Sequence, residues 1–285
     1  VLLLSGVIVV STKIAESIQN QINTDDLKQR LYTQGICSYK RAFSPAWAEQ
    51  LRKDHALLMD EAMTRETGFV SRGRNRLYHA VYPERLSGFL DLITHPFFTG
   101  VSEAVLGKDY SIVEIGFDVP MHGAKSQPWH RDFAIGTETS VGRWLSSLVF
   151  NMTTVDVTPE MGALEYVPGT QWEDGIGFED GMVPPEDQFA WYEKNSLKAY
   201  PKAGDISCRT GLMIHRGTEH KALIPRPVLC IGVVADTVVH SNKHNVHMTK
   251  QYFNSLPPEI RQHLKVELND GLQPIIQSHD LRLLK

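Results

Sequence analysis

His130 and Asp132 stand two apart within AKSQPWHRDFAIG, residues 124–136. Side chains two apart in an extended segment leave the same face, so this imidazole and this carboxylate would converge on one point. Together they make an incomplete metal site, and a third ligand must come from elsewhere in the chain. The run GDISCRTGLMIHRGTEHKALIPRPVL offers one: His215 follows Asp205 by ten residues, and Arg226 lies eleven residues beyond His215. If the strand carrying His215 pairs near the one carrying His130, two imidazoles and a carboxylate meet. Such a set leaves one face of an octahedral ion open, the arrangement of non-haem Fe(II) oxygenases. His220 competes for the third place, but it sits only six residues before Arg226 in the turn-like RGTEHKALIPR.

The ordered set His130, Asp132, Pro168–Gly169, Gly204–Asp205, His215 and Arg226, with EMGALEYVPGTQ in its middle, resembles the phytanoyl-CoA dioxygenase family of Fe(II)/2-oxoglutarate oxygenases. The resemblance implies a double-stranded β-helix that binds Fe(II) through His130, Asp132 and His215. It implies that Arg226 pairs with the distal carboxylate of 2-oxoglutarate, a role that suits a permanently charged, bidentate guanidinium. It also implies that O2 and 2-oxoglutarate become succinate and CO2 while an unactivated C–H of a small molecule is hydroxylated. Gln127 and Trp129, on the strand entering the site, are candidates to touch the cosubstrate or the substrate. Two positions depart from the family pattern: Gly217 stands where a serine or threonine often follows the distal histidine, and PGTQ replaces PGSH. Related halogenases have a small residue where this chain has Asp132, so the resemblance is to a hydroxylase.

Other chemistries compete for the same residues. A zinc hydrolase also uses three protein ligands and an open position, but it has no need of Arg226, and no well-placed glutamate base is evident. A non-catalytic jelly-roll binding protein would have no need of all four residues. Within the family, acyl-CoA and amino-acid hydroxylases are the alternatives to an enzyme acting on a specialised metabolite, the reading favoured by the lack of an evident acyl-CoA module. The arginines at 72, 74 and 76, in MTRETGFVSRGRNRLYHAVYP, ordinarily form a solvated charged loop. The sharper expectation is that one or two of Arg72, Arg74 and Arg76 meet an anionic group on the substrate, with His79 and Trp172 also lining its site.

The elements that must position these residues change character along the chain. TDDLKQRLYTQG starts on Thr24 and two aspartates and stops at Gly35; SPAWAEQLRKDHALLMDEAM has Ser44 as a cap and Pro45 in its first turn. SGFLDLITHPFFTGVSEAVLG predicts two short helices divided near Pro96. From about residue 109, the runs YSIVEIGFDVP, RWLSSLVFNMTTV, GALEYVPGT, GDISCRTGLMIH and PVLCIGVVADTVV are β-rich and separated by turns. No β-run is followed at once by a long amphipathic helix, which argues against a doubly wound parallel sheet. The expected fold is therefore α+β with a mainly β, jelly-roll core and N-terminal helices packed on it. A last short helix is expected in NSLPPEIRQHL with Ser255 as its cap. Residues 172–203, rich in aromatics, are expected to form a lid inserted into one domain spanning residues 1–285.

Composition narrows the partners. Hydrophobic content of 42% and a net charge of −4 describe a globular chain without the basic stripe that nucleic acid requires. Three scattered cysteines form no disulfide framework or zinc knuckle and fit a reducing cytoplasm. The opening VLLLSGVIVV is too short to span a bilayer and lacks a basic n-region and a cleavage site; residues 1–12 are expected to be an extra apolar segment. HSNKHNVH, residues 240–247, is expected to be a polar loop without a ligand role.

Overall fold

The computed structural model describes residues 22–237 and 246–277. The apolar opening residues and most of the His-rich tract lie outside them. Helix α1, Thr24–Gln34, is capped by the Asn23 side chain, which accepts from the Asp26 N–H, so the cap is one residue earlier than the sequence suggested. It stops at Gly35, whose φ of +82° few other residues would tolerate. Helix α2, Pro45–Met63, starts as expected on Ser44, whose hydroxyl accepts from the Trp47 N–H. Helices α3, Phe89–Ile93, and α4, Pro96–Leu106, divide at His95 and Pro96.

A seven-stranded antiparallel sheet carries the core, in the order β1, β8, β5, β10, β4, β3, β2. Its strands are β1 (Ile36–Tyr39), β2 (Val70–Ser71), β3 (Arg76–Ala80), β4 (Ser111–Pro120), β5 (Ser147–Thr153), β8 (Ile206–Arg209) and β10 (Val228–Val234). A smaller sheet, in the order β7, β6, β9, is built from β6 (Leu164–Tyr166), β7 (Leu197–Ala199) and β9 (His215–Gly217). The large antiparallel sheet and the smaller one form a jelly-roll core. Strands β11 (Val246–Thr249) and β12 (Val266–Asn269) pair in parallel apart from it.

Alternation along the strands of the large sheet gives it two unlike faces. One face presents Leu77, Ile115, Phe117, Leu148, Phe150, Met152, Ile206, Leu229, Ile231 and Val233, which join residues of α1, α2 and α4 in one continuous apolar core. Among them Phe98 of α4 packs on Phe150 with tilted rings, their centroids 4.2 Å apart. The opposite face presents Arg76, Tyr78, Glu114, Asp118, Asn151, Ser207, Arg209 and Cys230, as the strand registers require. Helices therefore pack on one side only, and the polar side is left to the functional site.

Two expectations need correction. Residues 63–83 are not a loop: they include the hairpin of β2 and β3, because Arg76 to Ala80 pair along β4. Ser255 ends the helix Lys250–Ser255, which is capped by Thr249, and the following turn Pro258–Arg261 is preceded by Pro257 without a side-chain cap. Cys37 and Cys208, far apart in the chain, are register partners across β1 and β8, and both are buried and free. Among the described residues no helix is long and apolar enough to cross a membrane.

Candidate active site

The segment 128–132 is fixed by backbone bonds to the stretch that leads into β9. His130 and His215 exchange a pair of N–H to C=O bonds at 3.0 and 2.9 Å, and the Asp132 N–H donates to the Gly211 carbonyl at 2.7 Å. Behind them, the Thr170 hydroxyl accepts from the Ile214 N–H at 2.9 Å and donates to the Val167 carbonyl. Thr170 of the PGTQ turn thus holds the residue before His215, and Gln171 donates to the Leu31 and Tyr32 carbonyls at the end of α1. The Gly204–Asp205 pair is a turn: Asp205 accepts from the Arg41 and Lys202 N–H groups before the chain enters β8.

His130, Asp132 and His215 come together, with one ligand atom from each within 4.8 Å of the others. The rings of the two histidines lie 4.5 Å apart between centroids. His130 Nδ1 is 2.9 Å from the Pro128 carbonyl and His215 Nδ1 is 2.8 Å from the Met213 carbonyl. A carbonyl only accepts, so each Nδ1 carries the proton and each Nε2 presents its lone pair. Burial, partly offset by Asp132, holds both imidazoles below their ordinary pKa and keeps them neutral. Burial alone would raise the Asp132 pKa, but the Arg209 guanidinium, followed by the two imidazoles, outweighs it and keeps the carboxyl ionised. Asp132 Oδ2 accepts from Arg209 Nη1 at 2.5 Å, while Oδ1 lies 3.5 Å from His215 Nε2. Two neutral imidazoles with free lone pairs and one ionised carboxylate are the donor set that a divalent ion of the iron group needs. His220 is turned away, its Nε2 2.9 Å from the Ile224 carbonyl.

Arg226 is buried; its Nε and Nη2 donate to the Met161 and Gly162 carbonyls, both at 2.8 Å. Burial, and then the neighbouring Arg76, bring its pKa down to about 10, so it stays charged at neutral pH. Arg76 is also buried, bonded to Asp118 at 2.9 Å and to the Thr218 carbonyl, with its Nε unpartnered. A β-carbon built on Gly217 would meet this guanidinium at 2.3 Å. Glycine at 217 is thus what admits Arg76 two residues from His215, at the place of the family's hydroxyl side chain.

The remaining candidates separate by strand parity. Arg72 lies over the Tyr78 ring, 3.9 Å from its centroid and 3.7 Å from Glu114, on the polar face with Arg76. Only Arg74 matches the expected solvated loop. His79, an odd number of residues from Arg76, faces the helices and packs on His55 and Phe117, so it does not line the site. Trp129 also points away, fully buried with Val167, Tyr192 and Ile214. Gln127 braces the backbone, bonding the Gly217 N–H and the Arg72 carbonyl. Trp172 donates to the Tyr32 carbonyl at the end of α1. Of the expected lid, Phe178, Phe189 and Tyr192 pack around Trp129, while Leu197–Ala199 pairs with β6 as a strand of the smaller sheet.

Sequence reasoning missed Arg209, whose guanidinium reaches Asp132 from inside an otherwise small or apolar strand, ISCR. It also missed Tyr166, the register partner of His215 on β6. The pair Glu114 and Asp118, four apart in SIVEIGFDVP, was the available sign that this strand has a polar face.

Residues 31–228 match the sequence profile of the phytanoyl-CoA dioxygenase (PhyH) family. The fold is similar to that of HygX from Streptomyces hygroscopicus, solved with nickel and 2-oxoglutarate bound; the TM-score is 0.57 at 12% identity, over 76% of this chain and 89% of that one. EctD from S. alaskensis, solved with bound Fe, gives a TM-score of 0.59 at 17% identity, over 75% and 77% of the two chains. SnoK, a non-heme alpha ketoglutarate dependent carbocyclase from nogalamycin biosynthesis, gives 0.58 at 16% identity, over 76% and 85%. At these identities the structural likeness speaks for the fold, while the profile match spans most of the chain and includes both histidines, the carboxylate and Arg226. The chain belongs to the phytanoyl-CoA dioxygenase family of Fe(II)/2-oxoglutarate-dependent oxygenases.

Proposed function

We propose that this protein hydroxylates an unactivated C–H of a small, specialised metabolite, in the cytoplasm, using Fe(II), 2-oxoglutarate and O2. The observation that carries the reading is the convergence of His130, Asp132 and His215 with both Nδ1 atoms already tied to backbone carbonyls. His130 Nε2, Asp132 Oδ1 and His215 Nε2 would hold the ferrous ion. When bound there, iron with 2-oxoglutarate and O2 supplies the oxidising power, and the cosubstrate leaves as succinate and CO2.

The chain's own groups prepare the cosubstrate site. Arg226 keeps Nη1 free of bonds to described residues and would hold the distal carboxylate. Arg76, seated against Gly217, adds a second buried guanidinium two residues, about 6.6 Å of strand rise, from His215. That spacing suits a five-carbon dicarboxylate whose keto-acid end lies at the metal. Asp118 balances Arg76 and fixes its plane. A natural-product substrate is supported by the occurrence of the fold in SnoK of nogalamycin biosynthesis.

The test is formation of succinate from 2-oxoglutarate by the Fe(II)-loaded protein during incubation with a metabolite panel. Substrate-dependent succinate with a hydroxylated product is expected, and His215→Ala should make neither. Hydrolysis supported by Zn(II), with no succinate under Fe(II), would contradict the proposal.

A further inference from the structure

The polar face around the triad holds four guanidiniums, those of Arg72, Arg76, Arg209 and Arg226, and three carboxylates, those of Glu114, Asp118 and Asp132. Arg72 is tied to Glu114, Arg76 to Asp118, and Arg226 to two carbonyls aimed at the cosubstrate side. Among the described arginines, only Arg209 bonds a side chain of the triad. Its side chain is 11% exposed, and Asp132 is its one hydrogen-bond partner among the described residues. Its Nε and Nη2 bond to none of the described residues, and neither is a sealed, unpartnered atom, so both are open to a ligand beside the reacting centre.

We propose that the substrate carries one negative charge and that Arg209 anchors it next to the metal through Nε and Nη2. This rests on the oxygenase reading above. A divalent ion and a dianionic cosubstrate cancel each other, so the loaded chamber keeps the one positive charge by which its guanidiniums outnumber its carboxylates. An unbalanced charge in a buried site is costly, and a monoanionic carboxylate meeting a guanidinium edge would relieve it. The position is also suitable. Arg209 lies on the same face of the sheet as Val149 and Ile36, its register partners, at the end of the roll where Asp132 is half-buried and Phe133 is exposed. An anion held there would bring the carbons next to it against the triad. Of the arginines first expected to meet such a group, Arg76 is engaged with Asp118, Arg72 with Tyr78 and Glu114, and Arg74 is exposed on the loop.

The experiment uses the nickel-loaded protein saturated with 2-oxoglutarate and matched pairs of small aromatic and alicyclic carboxylic acids and their primary amides, with affinity read by calorimetry. The acids should bind at least about tenfold more tightly than their amides, the scale of a charge-assisted bond. Arg209→Gln should erase that preference, and Arg209→Lys should restore part of it. 2-Oxoglutarate is titrated into the same nickel-loaded variants. No preference for acids in the wild type overturns the proposal. So does an equal loss for acids, amides and 2-oxoglutarate in Arg209→Gln, which would mean that Arg209 acts only through Asp132. Failure of the wild type to bind 2-oxoglutarate would instead overturn the oxygenase reading itself.

Discussion

The two faces of the large sheet are made by the same strands and do opposite work. On β3, Arg76 and Tyr78 lie on the polar face while Leu77 and His79 look toward the helices. On β5, Phe150 packs on Phe98 while its neighbour Asn151 donates to the Cys230 sulfur on the polar side. The helix side supplies stability by burying apolar area. The polar side buries charged groups whose desolvation is only partly compensated, among them the unpartnered Nε atoms of Arg72 and Arg76. The contrast teaches that fold and site can be altered separately, one residue apart on a single strand.

The sharpest way to break that comparison is at the triad. His215→Ala should lower divalent-metal affinity by well over the 10- to 100-fold typical of losing a supporting partner, with little change in melting temperature; calorimetric titration with nickel checks the first and a thermal melt the second. Next in size, Phe150→Ala on the helix side should cost about 3–5 kcal/mol of unfolding free energy, measured by urea denaturation, while the folded fraction keeps its nickel affinity. Arg226→Ala should weaken 2-oxoglutarate binding by about tenfold to a hundredfold, the equivalent of losing a charged hydrogen bond of about 1.5–3 kcal/mol, without weakening nickel binding.

A pH experiment sharpens the picture on the helix side. Burial lowers His55 to about 4 and His79 to about 3, from an ordinary 6.5. Both are neutral in the folded protein and protonate more readily when unfolded. Their contribution to stability is thus complete above pH 6.5 and declines as pH falls toward 4 and then 3. The slope is at most about 1.4 kcal/mol per pH unit for each histidine. His79→Leu should flatten that acid limb, and urea melts at a series of pH values would show it. The smallest effect is expected at Gly217→Ser, which must displace the Arg76 guanidinium and should weaken 2-oxoglutarate binding a few-fold.

How much of this was legible depended on whether a residue's role was local or set by its face. The convergence of His130, Asp132 and His215 was readable from their spacing and order, and the helix starts at Ser44 and stops at Gly35 were readable because capping is local. Residues whose meaning depends on parity were not. His79 and Arg76 were grouped by nearness in the chain, yet an odd separation sends them to opposite sides of β3. Trp129 and His130 part for the same reason: one enters an apolar cluster and the other the cluster with Asp132 and His215. Arg209 escaped notice because its partner Asp132 lies 77 residues away and is brought near only by folding.

The most direct measurement is the visible spectrum of the protein mixed anaerobically with Fe(II) and 2-oxoglutarate. A metal-to-ligand charge-transfer band should form in the wild type and in His79→Leu, and it should be absent from Asp132→Ala. A folded wild-type protein without the band, or a band that survives in Asp132→Ala, would contradict the central claim that these three side chains grip one ferrous ion beside the keto acid.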